Sequence, residues 1–88
     1  MHHVRSVRYL GDYRVELGFD DGILKIVDLA SYLDGEVFEP LKDKAYFATV
    51  TVNPDIETIV WGNGADFSPE FLYEIGEVVK AGRRAMTL

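Results

Sequence analysis

The chain has no cysteine, only three prolines among its 88 residues, and nine basic side chains against fifteen acidic ones. Without cysteine there is no disulfide, no thiolate nucleophile and no sulfur-rich zinc site, a composition that fits a reducing compartment. The shortage of Lys and Arg leaves a formal net charge of -6. That balance opposes general affinity for phosphate backbones, so no direct nucleic-acid binding is expected. A partner steered by such a charge is basic. Long hydrophobic runs are also missing. No stretch approaches the ~18 apolar residues of a membrane span, and Met1-His2-His3-Val4 lacks the apolar core of a secretory leader. The expectation is a cytoplasmic protein without membrane contact.

What is present suffices for one modest core. With 48% hydrophobic residues, residues 1–88 read as a single domain that buries roughly 60 to 65% of its unfolded surface, with little room for a deep catalytic cavity. The acid excess is regional. Residues 1–30 carry four basic and five acidic side chains, residues 31–66 two and seven, and residues 67–88 three and three.

Hydrophobic periodicity predicts a three-stranded meander at the start. Val4 to Leu10 is the first strand and Gly11-Asp12 a turn. Tyr13, Val15, Leu17 and Phe19 alternate along one face of the second strand. Asp20-Asp21-Gly22 supplies a hairpin connection, because Asp-Gly tolerates positive backbone angles. Ile23 to Val27 returns as the third strand. Asp28 is placed to cap a short helix over 29–33 that Asp34-Gly35 ends, and Pro40 opens a second helical turn, Leu41 to Tyr46. Phe47 to Val52 then alternates as a fourth strand, joined through the turn Asn53-Pro54-Asp55 to a fifth, Ile56 to Trp61. Ser68-Pro69-Glu70 starts the last helix, with Ser as cap and Pro in the first turn. Its apolar stripe is Phe71, Leu72, Ile75, Val78 and Val79, and Glu70, Glu74 and Glu77 precede Lys80, Arg83 and Arg84 in the sense the helix dipole favours. Gly76 and Gly82 each oppose a continuous helix by about 1 kcal/mol, so the helix either breaks near Ile75 or uses Gly76 for close contact with a strand.

Catalytic constellations are thin. His2 and His3 are adjacent at a loose or appended terminus, and adjacent side chains rarely converge on one ion. With them set aside, Ser-His-Asp arrangements lose their base. Most aspartates sit in turns and caps. Asp20-Asp21-Gly22 lacks the spaced ligands and terminal Glu of a calcium loop. Gly62-Asn63-Gly64 precedes a helix but has neither the dinucleotide spacing nor a P-loop Lys, and Asp66 sets a negative charge beside any phosphate, so it reads as a turn. Asp66 itself is placed to satisfy free N–H groups at the helix start. No metal, cofactor or catalytic residue is expected, and the chain is read as a non-enzyme. Arg5, Arg8 and Arg14 beside Tyr9 and Tyr13 read as a solvated sheet face rather than a single-strand nucleic-acid platform. Trp61 has two readings, closing the core under the last helix or anchoring a partner at the sheet edge.

Three blocks of sequence carry a family resemblance. They are Asp12-Tyr13-Arg14-Val15-Glu16-Leu17-Gly18-Phe19-Asp20-Asp21-Gly22 running into Val27-Asp28-Leu29, then Phe38-Glu39-Pro40-Leu41-Lys42-Asp43 with Tyr46-Phe47, and Trp61-Gly62-Asn63-Gly64-Ala65-Asp66-Phe67-Ser68-Pro69-Glu70 ending at Leu72-Tyr73. Together they resemble the small bacterial family described as domain of unknown function 2442, over about residues 4–75. The last block is the most specific. Gly62 departs from the Pro often found there, which makes the turn after Trp61 less rigid. The resemblance implies an α+β domain with an antiparallel sheet, no established activity and no transferable catalytic residue. It also implies a setting in toxin–antitoxin-like gene pairs, or fusion to a helix-turn-helix domain for which this chain leaves no room.

The combined expectation is an α+β fold with an antiparallel sheet of about five strands and a C-terminal helix packed on it, the helical segment from 76 to 88 extending past the family-like part. Functionally it is an acidic antitoxin-like or regulatory module for a small basic protein, with the acidic stretch from Asp34 to Asp66 steering the partner and Trp61 or Phe38 as buried anchor. Phe38, Trp61, Asn63, Asp66 and Tyr73 make up the candidate partner surface. Two alternatives stand beside it. One is a small-ligand domain or weak enzyme around Asn63, Asp66 and Tyr73; the other is a homodimeric regulator using an exposed sheet edge and working with a separate DNA-binding chain.

Overall fold

Alternation of apolar and polar residues builds the main sheet, and a computed structural model describes it through residues 1–79. Strands β1 (Val4–Gly11), β2 (Arg14–Phe19) and β3 (Leu24–Asp28) form an antiparallel meander. Val15, Leu17 and Phe19 of β2 point to the core at 3% exposure or less. Gly11 and Asp12 both take positive φ at the first turn, and Gly22 does so at the second, where Asp21 Oδ1 accepts the Ile23 N–H at 2.9 Å. Both turns lie where Asp and Gly predict them.

After β3, Asp28 Oδ1 accepts the Ala30 N–H at 3.0 Å and starts a 3-10 turn, Ala30–Tyr32. A second 3-10 turn, Glu39–Lys42, contains Pro40. The helix expected over 41–46 is broken at Asp43, whose extended backbone lets its carboxylate cap a separate one-turn helix, α1 (Lys44–Phe47), at the Ala45 N–H. The fourth strand therefore starts later than its pattern predicts. Phe47 belongs to α1 and is fully buried, and β4 covers only Thr51–Asn53. β4 pairs with β5 (Thr58–Val60) as a separate two-stranded sheet. Ile56 and Glu57 sit in the connecting turn, where Glu57 takes a φ of 60° and Ile56 is exposed.

Helix α2 (Pro69–Ile75) begins as the sequence predicts, with the Ser68 side chain accepting the Phe71 N–H. Its end is a correction. Gly76 is extended, and Glu77–Val78 form β6, antiparallel to β3 through Lys25↔Val78 and Ile26↔Glu77. Val78 and Val79 thus leave the expected helical stripe, and the helical reading fails over 76–79; residues 80–88, with Lys80, Arg83 and Arg84, lie outside the described residues. The reason is tertiary. A Cβ on Gly76 would lie 3.0 Å from Lys25 Cβ and 3.0 Å from the Leu72 carbonyl oxygen, so glycine lets the chain turn tightly onto β3. The result is an α+β fold with a four-stranded antiparallel sheet in the order β1-β2-β3-β6 and a small second sheet. Among the described residues, no helix is long and apolar enough to cross a membrane.

Candidate functional site

The most conspicuous surface grows from the connections around the sheet rather than from the strands. Phe38, at the start of the second 3-10 turn, stacks on Phe67 with ring centroids 4.9 Å apart, and Phe67 stacks on Phe71 at 6.0 Å. Phe71 meets Tyr32 edge to face at 5.1 Å. Each such pair adds about 0.5–1.5 kcal/mol beyond area burial. The four rings form a ladder that starts half-buried at Phe38 and emerges at Tyr32, which is 40% exposed. Val37, 44% exposed, flanks its first rung. The acidic loop residues Asp34, Glu36 and Glu39 are exposed alongside.

Asn63 positions the first rung. Its Nδ2 donates to the Val37 carbonyl at 2.8 Å while its Oδ1 accepts the Ala65 N–H at 3.1 Å, tying the 35–38 loop to the turn after β5. That turn is closed by Gly64 at a φ of 91° and by the Trp61 N–H donating to the Ala65 carbonyl. Gly62-Asn63-Gly64 is therefore a turn, as read, with Asn63 as its fastener.

The predicted surface residues separate. Phe38 and Asn63 come together at the foot of the ladder. Trp61 does not join them on the surface: it is 3% exposed, packs against Phe47 and Phe67, and donates Nε1–H to the Phe47 carbonyl at 2.9 Å. Of its two readings the core one holds, because burial of so large a ring outweighs exposure once its single polar group has an acceptor. Asp66 is exposed and bridges to Val60 along the backbone, while Ser68 supplies the cap of α2 that Asp66 was placed to supply. The segment from Trp61 to Tyr73 is filled by its own side chains, Trp61, Ala65, Phe67 and Leu72 all being buried. No ligand space opens within it.

Tyr73 lies apart, in a second cluster. Its hydroxyl donates to Asp21 Oδ2 at 2.8 Å, its ring stacks on His2 at 3.5 Å, and its edge contact to Phe19 is 4.9 Å. Lys25, only 9% exposed, donates from Nζ to the Tyr73 carbonyl at 2.5 Å and lies 3.7 Å from the ring centroid, capping the end of α2. The bond to Asp21 raises the Tyr73 phenol above its ordinary pKa. Asp21 is held below the usual carboxylate range, chiefly by the Ile23 N–H and then by Tyr73. A phenol held protonated against an ionised acceptor is a clasp, not a base. His2 and His3 diverge, His2 Nδ1 reaching Glu70 at 2.8 Å and His3 Nδ1 reaching Glu57 at 2.9 Å. Among the described residues no group of three or more His, Cys, Asp or Glu is placed to hold a metal.

The far end of the ladder opens onto a surface hollow of about 300 Å³, lined by Tyr32 with Arg14, Ile26, Asp28, Ile75 and Glu77. Sequence reading missed this place. Arg14 and Asp28 are cross-strand neighbours in the meander, so their pairing is foreseeable from its turns; the arrival of Ile75 and Glu77 depends on β6, which has no local signal.

The model of the family described as protein of unknown function (DUF2442) matches residues 4–77, from the first residue of β1 to the first of β6 and including every residue of the ladder and the hollow. No curated protein and no solved structure matches the chain.

Proposed function

The chain belongs to the DUF2442 family of proteins of unknown function, and from that premise we propose that it is a non-enzymatic cytoplasmic interaction module, an antitoxin-like or regulatory partner of a small basic protein. The observation that carries this reading is the aromatic ladder, exposed at Tyr32 and Val37 and bordered by Asp34, Glu36 and Glu39. Aromatic side chains held rigidly by their neighbours are the commonest source of binding energy at protein interfaces. The surrounding carboxylates, together with the net charge of -6, accelerate encounter with a basic surface and disfavour acidic competitors. Tyr32 and Phe38 take the anchoring role, and Trp61 supports Phe67 from within. The partner is occluded or scaffolded, with no bond made or broken.

Affinity capture with the full chain, from cells that naturally make it, tests the reading. Wild type is expected to retain a basic protein whose association slows with added salt, and Tyr32→Ala to weaken that retention by about tenfold. Failure to recover any reproducible basic protein counts against the module; equal retention by Tyr32→Ala counts against the ladder as its surface.

A further inference from the structure

The hollow beyond Tyr32 has a composition of its own. Arg14 and Asp28 face each other across β2 and β3, and Ile26 faces Glu77 across β3 and β6. Because side chains alternate along a strand, Ile26 and Asp28 share one face of β3, so two carboxylates flank one apolar floor. Ile75, from the end of α2, supplies a second apolar wall, and the Tyr32 ring stands at the rim, held by Phe71.

The charged groups around this floor are uncommitted. Among the described residues, Arg14, Asp28 and Glu77 form no ion pair within 4.0 Å, whereas Arg8 pairs with Glu16 at 3.1 Å and Lys42 with Glu39 at 2.9 Å. Asp28 uses Oδ1 on the Ala30 N–H and keeps its other oxygen. Two carboxylates against one guanidinium leave one net negative charge over an apolar floor.

Resting on the interaction reading above, we propose that this hollow receives one Lys or Arg side chain of the basic partner. The methylene stem lies along Ile26 and Ile75, as long cationic side chains do on apolar surface. The charged head reaches Asp28 and Glu77 and meets the face of Tyr32, an arrangement in which charge and ring attraction reinforce each other. Arg14 sets the limit, since its charge leaves the hollow matched to one cation and not to two. The occupant belongs to a protein rather than to a free metabolite because Tyr32 is both the last rung of the ladder and the rim of the hollow. One continuous surface therefore offers an apolar contact and, beside it, a seat for a cation.

A backbone-amide NMR titration of the full chain tests this, with a capped Gly-Arg-Gly peptide, its Gly-Lys-Gly and Gly-Glu-Gly counterparts, and free arginine. The cationic peptides are expected to give saturable shifts at Ile26, Tyr32, Ile75 and Glu77 with millimolar dissociation constants, and the Glu peptide none. Glu77→Gln and Asp28→Asn, the latter keeping an oxygen for the Ala30 N–H, weaken binding by about threefold or more, and Arg14→Gln strengthens it. Shifts that do not saturate, or binding unchanged in Glu77→Gln, overturn the proposal. So does free arginine binding more tightly than the capped peptide, which makes the hollow a site for a zwitterion. A captured basic protein that Glu77→Gln and Asp28→Asn hold as tightly as wild type overturns the hollow and leaves the interaction reading standing. Saturation by the peptides without any captured basic protein overturns that reading and leaves the hollow's cation selectivity intact.

Discussion

Trp61 Nε1 donates to the carbonyl oxygen of Phe47 at 2.9 Å, across fourteen residues of chain. The bond ties the end of α1 to the end of β5, and its two residues stack their rings at 5.4 Å in the centre of the core. It accounts for both departures from pattern in this region: Phe47 is drawn out of the expected strand into a buried helical turn, and Trp61 is withdrawn from the surface.

Trp61→Phe leaves that carbonyl unpaired and opens a cavity beside Phe67. The expected cost is about 2–4 kcal/mol in denaturant unfolding, with partner affinity unchanged under conditions where the variant is folded. Lost affinity at undiminished stability shows instead that the indole is exposed to the partner.

Gly76 and Gly62 separate two roles of glycine. Alanine at 76 meets Lys25 Cβ and the Leu72 oxygen, each at 3.0 Å, while the nearest atom to a Cβ at 62 is Tyr46 Oη at 3.5 Å. Gly76→Ala is expected to cost about 1–3 kcal/mol and Gly62→Ala to remain within about 0.5 kcal/mol of wild type. Paired thermal melts measure the difference, and equal melting temperatures show that the α2–β3 junction yields.

Acid should loosen the N-terminal clasps. Glu57 is held below the ordinary carboxylate pKa chiefly by its hydrogen bond from Arg5, and Glu70 by its bond with the His2 side chain. A carboxylate with a depressed folded pKa makes unfolding take up protons. Its stabilisation is complete above the unfolded value and disappears as pH falls through the folded one. Urea midpoints are expected to fall below about pH 4.5, more steeply in wild type than in a Glu57→Gln, Glu70→Gln double variant. Parallel pH profiles show that these exposed pairs contribute nothing.

Tyr73 behaves in the opposite sense. Its phenol, raised by the bond to Asp21, keeps its stabilising proton below the ordinary phenol pKa and loses the stabilisation as pH rises through the elevated folded value. Spectrophotometric titration should show one tyrosine ionising later than in Asp21→Asn, and superimposed curves refute the clasp.

The sequence by itself determined the elements whose causes are local. Alternation set the buried face of β2 at Val15, Leu17 and Phe19, Asp and Gly set the turns at 11–12 and 20–22, and Ser68-Pro69 set the start of α2, because each depends on residues within a few positions of one another. The family was legible for the same reason, in contiguous blocks. Only the tertiary structure decided where α2 stops, since Gly76 answers to Lys25 on a distant strand, and which aromatics face outward. Periodicity says that a ring belongs on an apolar face, but packing decides which ring fills the interior first. Trp61 and Phe47 took the core, Tyr32 was left at the surface, and β6 brought Ile75 and Glu77 to Arg14 and Asp28. The candidate surface is thus a product of long-range packing, which no local pattern in the chain encodes.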